Sequence, residues 1–268
     1  MNRSPGGWRP LRAARRRLAY GAVWLTLGLL TLAQASLAAT IEAVTEETSY
    51  SFLQGGKVAG VGSEIVEQML HMAGLDDYHL ALYPWARAYD MALLQPNVLI
   101  YPIVRTPTRE SQFKWIGQLA RIAPRFYKLR EEHDIVVTQL DDARRYTIGV
   151  IRDDVRQQYL EEHDFSRMVV SANNADNFRK LLNHQVQLVV LPEREARVLS
   201  EAARIDYDQL ESVYSLDDLS SGLYFAYSKS TPDDVVARTR AAFERLKAAG
   251  GLVKAGDEPQ VTAGKQSP

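Results

Sequence analysis

One stretch decides the fold class: Tyr146-Thr-Ile-Gly-Val-Ile-Arg-Asp-Asp-Val-Arg-Gln-Gln-Tyr-Leu160. Its apolar run, Thr147–Ile151, is typical of a buried strand, and Val155–Glu162 then has the spacing of a helix. The same succession recurs twice downstream, with strands at Met168–Val170 and Gln187–Leu191 and helices at Asp176–His184 and Glu193–Ala203. This alternation predicts an α/β protein with mainly parallel sheets.

The chain before this stretch repeats the pattern. Strands are predicted at Ile41–Val44, His79–Leu82 and Val98–Ile103, and helices at Ser63–Ala73 and Trp85–Leu94. A further helix is predicted to begin at Thr106-Pro107, with Thr106 as N-cap and Pro107 at the first helical position. Gly60-Val61-Gly62 lacks the third glycine of a dinucleotide fingerprint, so it is interpreted as a turn before a helix. After the quoted stretch, a strand at Leu223–Tyr227 and a long helix at Pro232–Ala249 complete the pattern.

These elements group into two α/β units, one before about Leu129 and one between about Ile135 and Val213. The strand at Leu223–Tyr227 and the helix at Pro232–Ala249 are not needed to complete the second unit. If they return to the first, the chain crosses between two lobes twice, which gives a central cleft with a two-strand hinge. The predicted lobes are then 39–129 with 220–254, and 130–219. The crossings are expected at 129–134 and 215–222, and residues 255–268 are expected to be a disordered tail.

The first 38 residues have the pattern of an export signal. They contain six Arg and no acidic residue, and an uncharged apolar run from Leu18 to Leu32 follows the basic cluster. Ser36-Leu37-Ala38 then offers small residues for cleavage, which predicts a mature chain that begins near Ala39 in the periplasm. The alternative is an uncleaved anchor helix, although the run of about 15 residues is short for a span.

Composition excludes several classes of protein. The chain has 46% hydrophobic and 24% charged residues, as globular proteins do, and no Cys for a disulfide, a thiol nucleophile or a Cys-ligated zinc site. Beyond residue 38 it has 26 basic and 33 acidic side chains, a balance that argues against a nucleic-acid partner. No nucleophile elbow, phosphate loop or His pair with metal-ligand spacing occurs. No motif therefore predicts an enzyme, and we expect no metal and no cofactor.

Three segments are interpreted as ligand-contact loops, because ligands of open α/β sheets bind beyond the carboxyl ends of strands. The first is 46–52, which includes Tyr50. The second is 101–110, with Arg105, Thr106 and Arg109, and the third is 152–156, with Arg152, Asp154 and Arg156. Helix N-termini and the planar fork of Arg both suit an anionic ligand.

Other interpretations of these residues stay open. Arg109 could pair with Glu110 on the surface, and Tyr50 and Trp85 could be core aromatics. Glu193 follows a strand and Pro192, so it could simply complement the dipole of the next helix.

Several segments, taken in order, resemble the bacterial extracellular solute-binding proteins of family 3, the periplasmic binding proteins for polar amino acids. They are the export signal, E-E-T-S-Y-S-F (46–52), G-G-K-V-A-G-V-G-S-E-I-V (55–66), Y-P-W-A-R-A (83–88), R-T-P-T-R-E-S-Q-F-K-W-I-G (105–117), Y-T-I-G-V-I-R-D-D-V-R-Q-Q-Y-L (146–160) and L-Y-F-A-Y-S-K (223–229). The resemblance covers about residues 40–254, and the 105–117 block is its most specific part.

The resemblance implies a type 2 periplasmic-binding-protein fold, in which two α/β lobes clamp a ligand. By position, Arg109 matches the arginine that holds a ligand α-carboxylate, Tyr50 an aromatic that packs on the ligand, and Glu193 the acid that holds the α-ammonium. Asp154 and Val155 fall where a small hydroxyl residue usually caps the carboxylate. Trp85, in the 83–88 segment, is a further candidate.

The implied function is the capture of a small polar ligand, an amino acid or a related carboxylate, for an inner-membrane ABC-type permease by a monomeric protein. The alternatives are a ligand-sensing accessory protein without a permease and a dehydratase-type enzyme on the same fold. The enzyme would need a cleft carboxylate with a raised pKa, for which Glu193 and Asp154 are the candidates.

Overall fold

The computed structural model describes Met1 and residues 40–252. The predicted export signal, apart from Met1, and the predicted tail at 255–268 lie outside the described residues. Among the helices of the described part, none has both the length and the apolar character that crossing a membrane requires.

The described chain alternates strands and helices, as the sequence predicts. The strands are β1 (Ile41–Thr45), β2 (Phe52–Gln54), β3 (Lys57–Ala59), β4 (Tyr78–Leu82), β5 (Val98–Val104), β6 (Phe113–Ile122), β7 (Arg125–Leu129), β8 (Ile148–Ile151), β9 (Met168–Ser171), β10 (Leu188–Leu191), β11 (Leu210–Ser215) and β12 (Ser221–Ser228). The α-helices are α1 (Val61–Met72), α2 (Trp85–Leu94), α3 (Val155–Glu162), α4 (Asn174–Leu182), α5 (Glu193–Ala203) and α6 (Asp233–Ala248). Short 3-10 helices lie at Leu140–Arg145, Tyr207–Gln209 and Asp217–Leu219.

Two five-stranded sheets organise the described residues, which confirms the predicted α/β class with two lobes. The first sheet has the order β4-β1-β5-β12-β6 and the second β11-β7-β10-β8-β9, while β2 and β3 form a separate hairpin. In the first lobe, α1 and α6 pack on one sheet face with Leu70, Phe225 and Phe243 in the core, and α2 covers the other face. In the second lobe, Phe126 and Leu188 belong to the core on one side, and Phe178 of α4 to the core on the other.

The sheets are mixed, whereas the sequence predicts mainly parallel ones. In the first sheet β1 pairs in parallel with β4 and β5, and β12 pairs antiparallel with β5 and β6. In the second sheet β8 pairs in parallel with β9 and β10, and β7 pairs antiparallel with β10 and β11. Within these two sheets, every antiparallel pair involves β7 or β12, the strands that enter each sheet from the other, where no crossover helix intervenes to keep the strands parallel.

The first crossing between the lobes lies at Ala123-Pro124, not at 129–134 as predicted. β6 belongs to the first sheet and β7 to the second, so the predicted boundary after Leu129 is wrong. The boundary lies earlier because β7 pairs with both β10 and β11 and is therefore a full member of the second sheet. The second crossing runs from Ser215 to Ser221, through the 3-10 helix at Asp217–Leu219.

The predicted helix at Thr106-Pro107 is absent from this position. Residues 107–112 form successive turns, with the amide of Arg109 bonded to the Thr106 carbonyl at 3.1 Å and that of Gln112 to the Arg109 carbonyl at 3.0 Å. Phe113 then begins β6, because the aromatic and β-branched residues that follow favour a strand. Arg109 is therefore held by a turn between β5 and β6.

Candidate functional site

The carboxyl ends of the parallel strands of both lobes face the same cavity. Glu46 follows β1, Asp154 lies just beyond β8, and Glu195 lies in the first turn of α5, which follows β10. The cavity has a volume of about 60 Å³ and is lined by Glu46, Thr48, Ser49, Tyr50, Trp85, Pro102, Val104, Arg109, Ile122, Pro124, Asp154, Val155, Arg156, Asn174, Pro192, Glu195, Leu219 and Leu223. This arrangement places it where ligands of open α/β sheets bind.

The lining divides into a polar and an apolar part. Pro124 comes from the first crossing and Leu219 from the second, and Ile122 and Leu223 come from the adjoining ends of β6 and β12, so the hinge region supplies much of the apolar part. The charged side chains come from the strand ends and helix starts. A ligand in this cavity would contact both lobes and the segments that join them.

Arg109 is the most buried charged side chain of the lining, at 2% exposure. Its Nη1 donates to the Val104 carbonyl at 3.3 Å, and its guanidinium carbon lies 5.3 Å from the ring centre of Trp85 and 4.9 Å from that of Tyr89. Its Nη2 has no hydrogen-bond partner among the described residues. A buried guanidinium with a free donor is a strong point of attachment for an anionic group.

Asp154 and Arg156 form a buried pair at the start of α3. Asp154 caps the helix by accepting from the Arg156 amide at 2.9 Å, and the Arg156 Nε also donates to it, at 2.5 Å. Burial alone would raise the pKa of Asp154, but the charge and hydrogen bonds of Arg156 outweigh burial and hold that pKa below its ordinary value. Nη1 of Arg156 donates to the Val190 carbonyl at 3.1 Å, so this arginine is occupied by partners of its own lobe.

Glu46 and Glu195 have pKa values above the ordinary range. Burial, and next the nearby charge of Asp154, raise the pKa of Glu46 to about 8. Burial also raises the pKa of Glu195, although the Ser49 amide, which donates to its Oε2 at 2.7 Å, opposes that rise. The Oε2 of Glu46 has no hydrogen-bond partner within the described part of the chain.

The two lobes touch each other directly around the cavity. Trp85 Nε1 of the first lobe donates to the Asp153 carbonyl of the second at 3.0 Å. The Ser49 amide donates to Glu195, and the Arg194 guanidinium lies 4.9 Å from the ring centre of Tyr50. Asp153 adopts a left-handed backbone conformation, φ 59°, which Asp tolerates better than most residues. The structure is therefore a closed arrangement of the cleft.

The structure brings five of the predicted site residues into the cavity lining: Tyr50, Trp85, Arg109, Asp154 and Arg156. Tyr50 and Trp85 are at once core and cavity residues, at 4% and 3% exposure. Arg109 does not pair with Glu110 in the structure. Glu110 instead accepts two hydrogen bonds from Arg105.

Four predicted residues lie outside the cavity lining. Arg105 is held by Glu110 and stacks against Trp115, at 5.2 Å from the ring centre. Thr106 bonds Thr108, and Arg152 is exposed.

Glu193, the fourth of these residues, is not part of the cavity lining and lies between two arginines. It accepts from Arg197, one helical turn ahead, at 2.6 Å, and lies 3.8 Å from Arg125. Glu195, two residues further on, takes the position in the cavity that the sequence assigns to Glu193.

Sequence reasoning missed Glu46, Asn174 and Glu195 as individual residues. A signal for Glu195 existed, because it shares a helix face with the buried Ala196 and Leu199. Glu46 directly follows the buried run of β1, within the loop already interpreted as a ligand contact. Asn174 begins α4 two residues before the predicted start of that helix.

No family model and no curated protein matches this sequence. Solved structures match it at low identity. A histidine kinase sensor domain with similarity to periplasmic binding proteins superposes with a TM-score of 0.72 and 17% identity, over 81% of this chain and 93% of that chain. An ancestral arginine-binding protein bound to arginine gives 0.70 and 14%, over 81% and 96%. ArtJ from Geobacillus stearothermophilus, an arginine-, lysine-, histidine-binding protein, gives 0.70 and 16%, over 81% and 93%.

These likenesses define the class of fold. The chain has the periplasmic-binding-protein fold, and the structures similar to it include the substrate-binding protein of an amino acid ABC transporter, with a TM-score of 0.70. The predicted fold is thereby confirmed over most of the chain.

Proposed function

We propose that this protein is an extracytoplasmic solute-binding protein that captures a small polar ligand, an amino acid or a related carboxylate, between its two lobes. The observation that carries the proposal is Arg109, a buried guanidinium with an unpaired Nη2 in a cavity that both lobes enclose. A carboxylate at this point would satisfy the free donor with a charge-assisted hydrogen bond.

The ligand enters when the lobes separate. The cavity of about 60 Å³ is far smaller than the roughly 300–1,000 Å³ of typical ligand sites, so the closed arrangement has to open for exchange. Opening at the two crossings costs the contacts that Trp85, Ser49 and Tyr50 make with the second lobe. A ligand that contacts both lobes offsets this cost by favouring the closed state.

The similar solved structures support an amino-acid ligand. They include proteins described as bound to arginine and, in one case, to glutamine. Tyr50 and the acidic Glu195 add an aromatic surface and a hydrogen-bond acceptor beside Arg109. We also propose that the protein is a monomer in the periplasm after removal of residues 1–38, that it delivers the ligand to an inner-membrane ABC permease, and that it catalyses no reaction.

A thermal-shift screen of the mature chain against amino acids and small organic acids tests this function. A ligand at about 100 times its Kd stabilises the fold by roughly 2.7 kcal/mol, which is a shift of several degrees. Incubating each hit with the protein, followed by chromatography, checks that the ligand is recovered unchanged. The absence of any hit, or conversion of a hit to a product, would contradict the proposal.

A sensory role is the second candidate, because one of the similar structures is a histidine kinase sensor domain. A sensor would bind the same ligand but pass closure to a signalling partner. Uptake of the labelled ligand by cells with and without the gene separates the two roles. Loss of uptake in the deletion strain supports transport, and unchanged uptake supports sensing.

A further inference from the structure

Three carboxyl groups from both lobes line one small cavity in this closed arrangement. Glu46 comes from the end of β1 in the first lobe, and Asp154 and Glu195 come from α3 and α5 of the second. Their exposures are 7%, 6% and 6%, so little water remains to screen them. Like charges this poorly hydrated repel each other strongly.

The two arginines of the cavity, Arg109 and Arg156, do not neutralise the charges of the three acids equally. Arg156 is paired with Asp154 and with the Val190 carbonyl. Glu195 accepts from the Ser49 amide, and Arg109 donates to the Val104 carbonyl and lies against Trp85 and Tyr89. Glu46 is left with an Oε2 that has no hydrogen-bond partner among the described residues, in a side chain more than nine-tenths buried.

We propose that the cleft closes only with one positive charge at Glu46, either a proton or the cationic N–H group of a ligand, and that Glu46 thereby selects ligands with a protonated nitrogen. The half of this proposal that concerns a ligand rests on the proposed function. The half that concerns closure is a property of the protein alone. A cationic group beside Glu46 supplies the donor that its Oε2 lacks and attracts Glu195 as well.

The charges around Glu46 fix the direction of the pH dependence. Besides burial, Asp154 and Glu195 raise its pKa while Arg156 and Arg109 lower it, and the result in the closed cleft is about 8. In an open, hydrated cleft the pKa returns towards the ordinary 4.5. Closing therefore takes up a proton between these two pH values. It is favoured at low pH and loses about tenfold in its equilibrium constant for each pH unit through that window.

Closure without added ligand tests this directly. We expect small-angle scattering of the mature protein to give a compact particle at pH 5.5 and a larger radius of gyration at pH 9. Glu46→Gln, which is neutral and of the same shape, should stay compact at both pH values. Glu195 titrates with the same sign, so a small residual response in this variant is expected. Glu47→Gln is the matched control, because Glu47 is the exposed neighbour of Glu46 and should behave as the wild type.

Methylammonium chloride is the probe for the cationic group. At pH 9, where Glu46 is ionised, about 100 mM of this salt should compact the wild type but leave Glu46→Gln unchanged, and sodium chloride at the same ionic strength should do neither. Compaction by sodium chloride alone, or no compaction by methylammonium, would overturn the selection of a cation. An equal pH response in the wild type and Glu46→Gln would overturn the role of Glu46 in closure. Neither result depends on the outcome of the ligand screen.

Discussion

Arg109 shows what one residue contributes to this site. The rings of Trp85 and Tyr89 and the Val104 carbonyl fix its guanidinium in place, so its free Nη2 needs no rearrangement to meet a ligand. Preorganisation of this kind strengthens binding because little conformational entropy is lost.

Arg109→Ala is therefore expected to weaken ligand binding by about ten- to a hundredfold, since a charge-assisted hydrogen bond contributes roughly 1.5–3 kcal/mol. Arg109→Lys should recover only part of the loss, because an ammonium has no planar fork. Calorimetric titration with the ligand from the screen measures both. Arg105→Ala is the control, since Arg105 is held by Glu110 outside the cavity. Equal affinities of Arg109→Ala and the wild type would disprove the role of Arg109.

Proximity to a strand end located some of the cavity residues but not all, since Arg105 and Arg152 directly follow β5 and β8 and lie outside the lining. Arg109, Asp154 and Arg156 lie within a few residues of strand ends, and sequence order alone placed them near the cavity. Glu193 and Glu195 both belong to the first turn of α5, and only the direction of the helix face distinguishes them. That face is set by packing against the second sheet, which the buried Ala196 and Leu199 indicate in the sequence.

The finding that Glu195 lines the cavity and Glu193 does not gives a second test. Glu195→Ala removes a buried acceptor of the Ser49 amide and faces the cavity, so it should weaken ligand binding by about tenfold or more. Glu193→Ala breaks a helix-surface pair with Arg197, worth about 0.3–0.5 kcal/mol, and a longer pair with Arg125; neither arginine lines the cavity, so affinity should be unchanged. Titration of the two variants compares them directly. A larger loss in Glu193→Ala would restore the original assignment.

At the scale of elements, local spacing identified the helices better than the strands. α2 and α3 have the bounds that the spacing predicts, whereas β6, β7, β11 and the β2–β3 hairpin were not predicted. β6 and β11 are edge strands and carry polar residues at several positions, so their hydrophobic pattern is weak. Their pairing depends on residues far along the chain, which the local sequence does not reveal.

The turn at Gly60 shows how one element positions the site. Gly60 has φ 105°, and a Cβ there would lie 2.5 Å from the Tyr50 carbonyl oxygen. The Gly62 amide, two residues further on, donates to that oxygen at 2.9 Å. The glycine turn at the start of α1 therefore holds the loop that carries Ser49 and Tyr50.

Gly60→Ala should consequently lower the free energy of unfolding by about 2–4 kcal/mol, from backbone strain and from the clash with Tyr50. Gly55→Ala is the matched control, because Gly55 also has a positive φ, 58°, but no atom lies within 4 Å of its added Cβ. It should cost only about 1–2 kcal/mol. Urea denaturation of both variants measures the difference. Equal losses would mean that the Tyr50 contact contributes nothing to stability.

At the scale of the whole described chain, two lobes are joined at Ala123-Pro124 and at 216–220. Both segments contribute apolar residues to the cavity, so a movement of the hinge changes the site itself. The sequence predicted the number of crossings and the position of the second. It missed the first by several residues, because β7 looks like a continuation of the first lobe until its partners β10 and β11 are known.

Trp85 connects the first lobe to the second across the cleft. Its indole Nε1 donates to the Asp153 carbonyl in the second lobe, while its ring stays packed against Tyr89 in the first. Trp85→Phe removes the donor and keeps most of the ring, so the closed state loses one hydrogen bond that the open state does not have. The net value of such a bond is about 0.5–1.5 kcal/mol, which corresponds to a two- to tenfold loss in the closing constant and in ligand affinity.

Trp115→Phe separates this effect from the general consequence of losing an indole. Trp115 Nε1 donates to the Glu110 carbonyl at 3.2 Å, within the first lobe, so its bond is the same in open and closed molecules. We expect Trp115→Phe to keep the wild-type affinity and radius of gyration, even if its thermal stability falls. Trp85→Phe should instead show weaker binding and a larger radius of gyration at pH 5.5. An unchanged affinity and radius of gyration in Trp85→Phe would mean that the hydrogen bond to Asp153 does not stabilise the closed state.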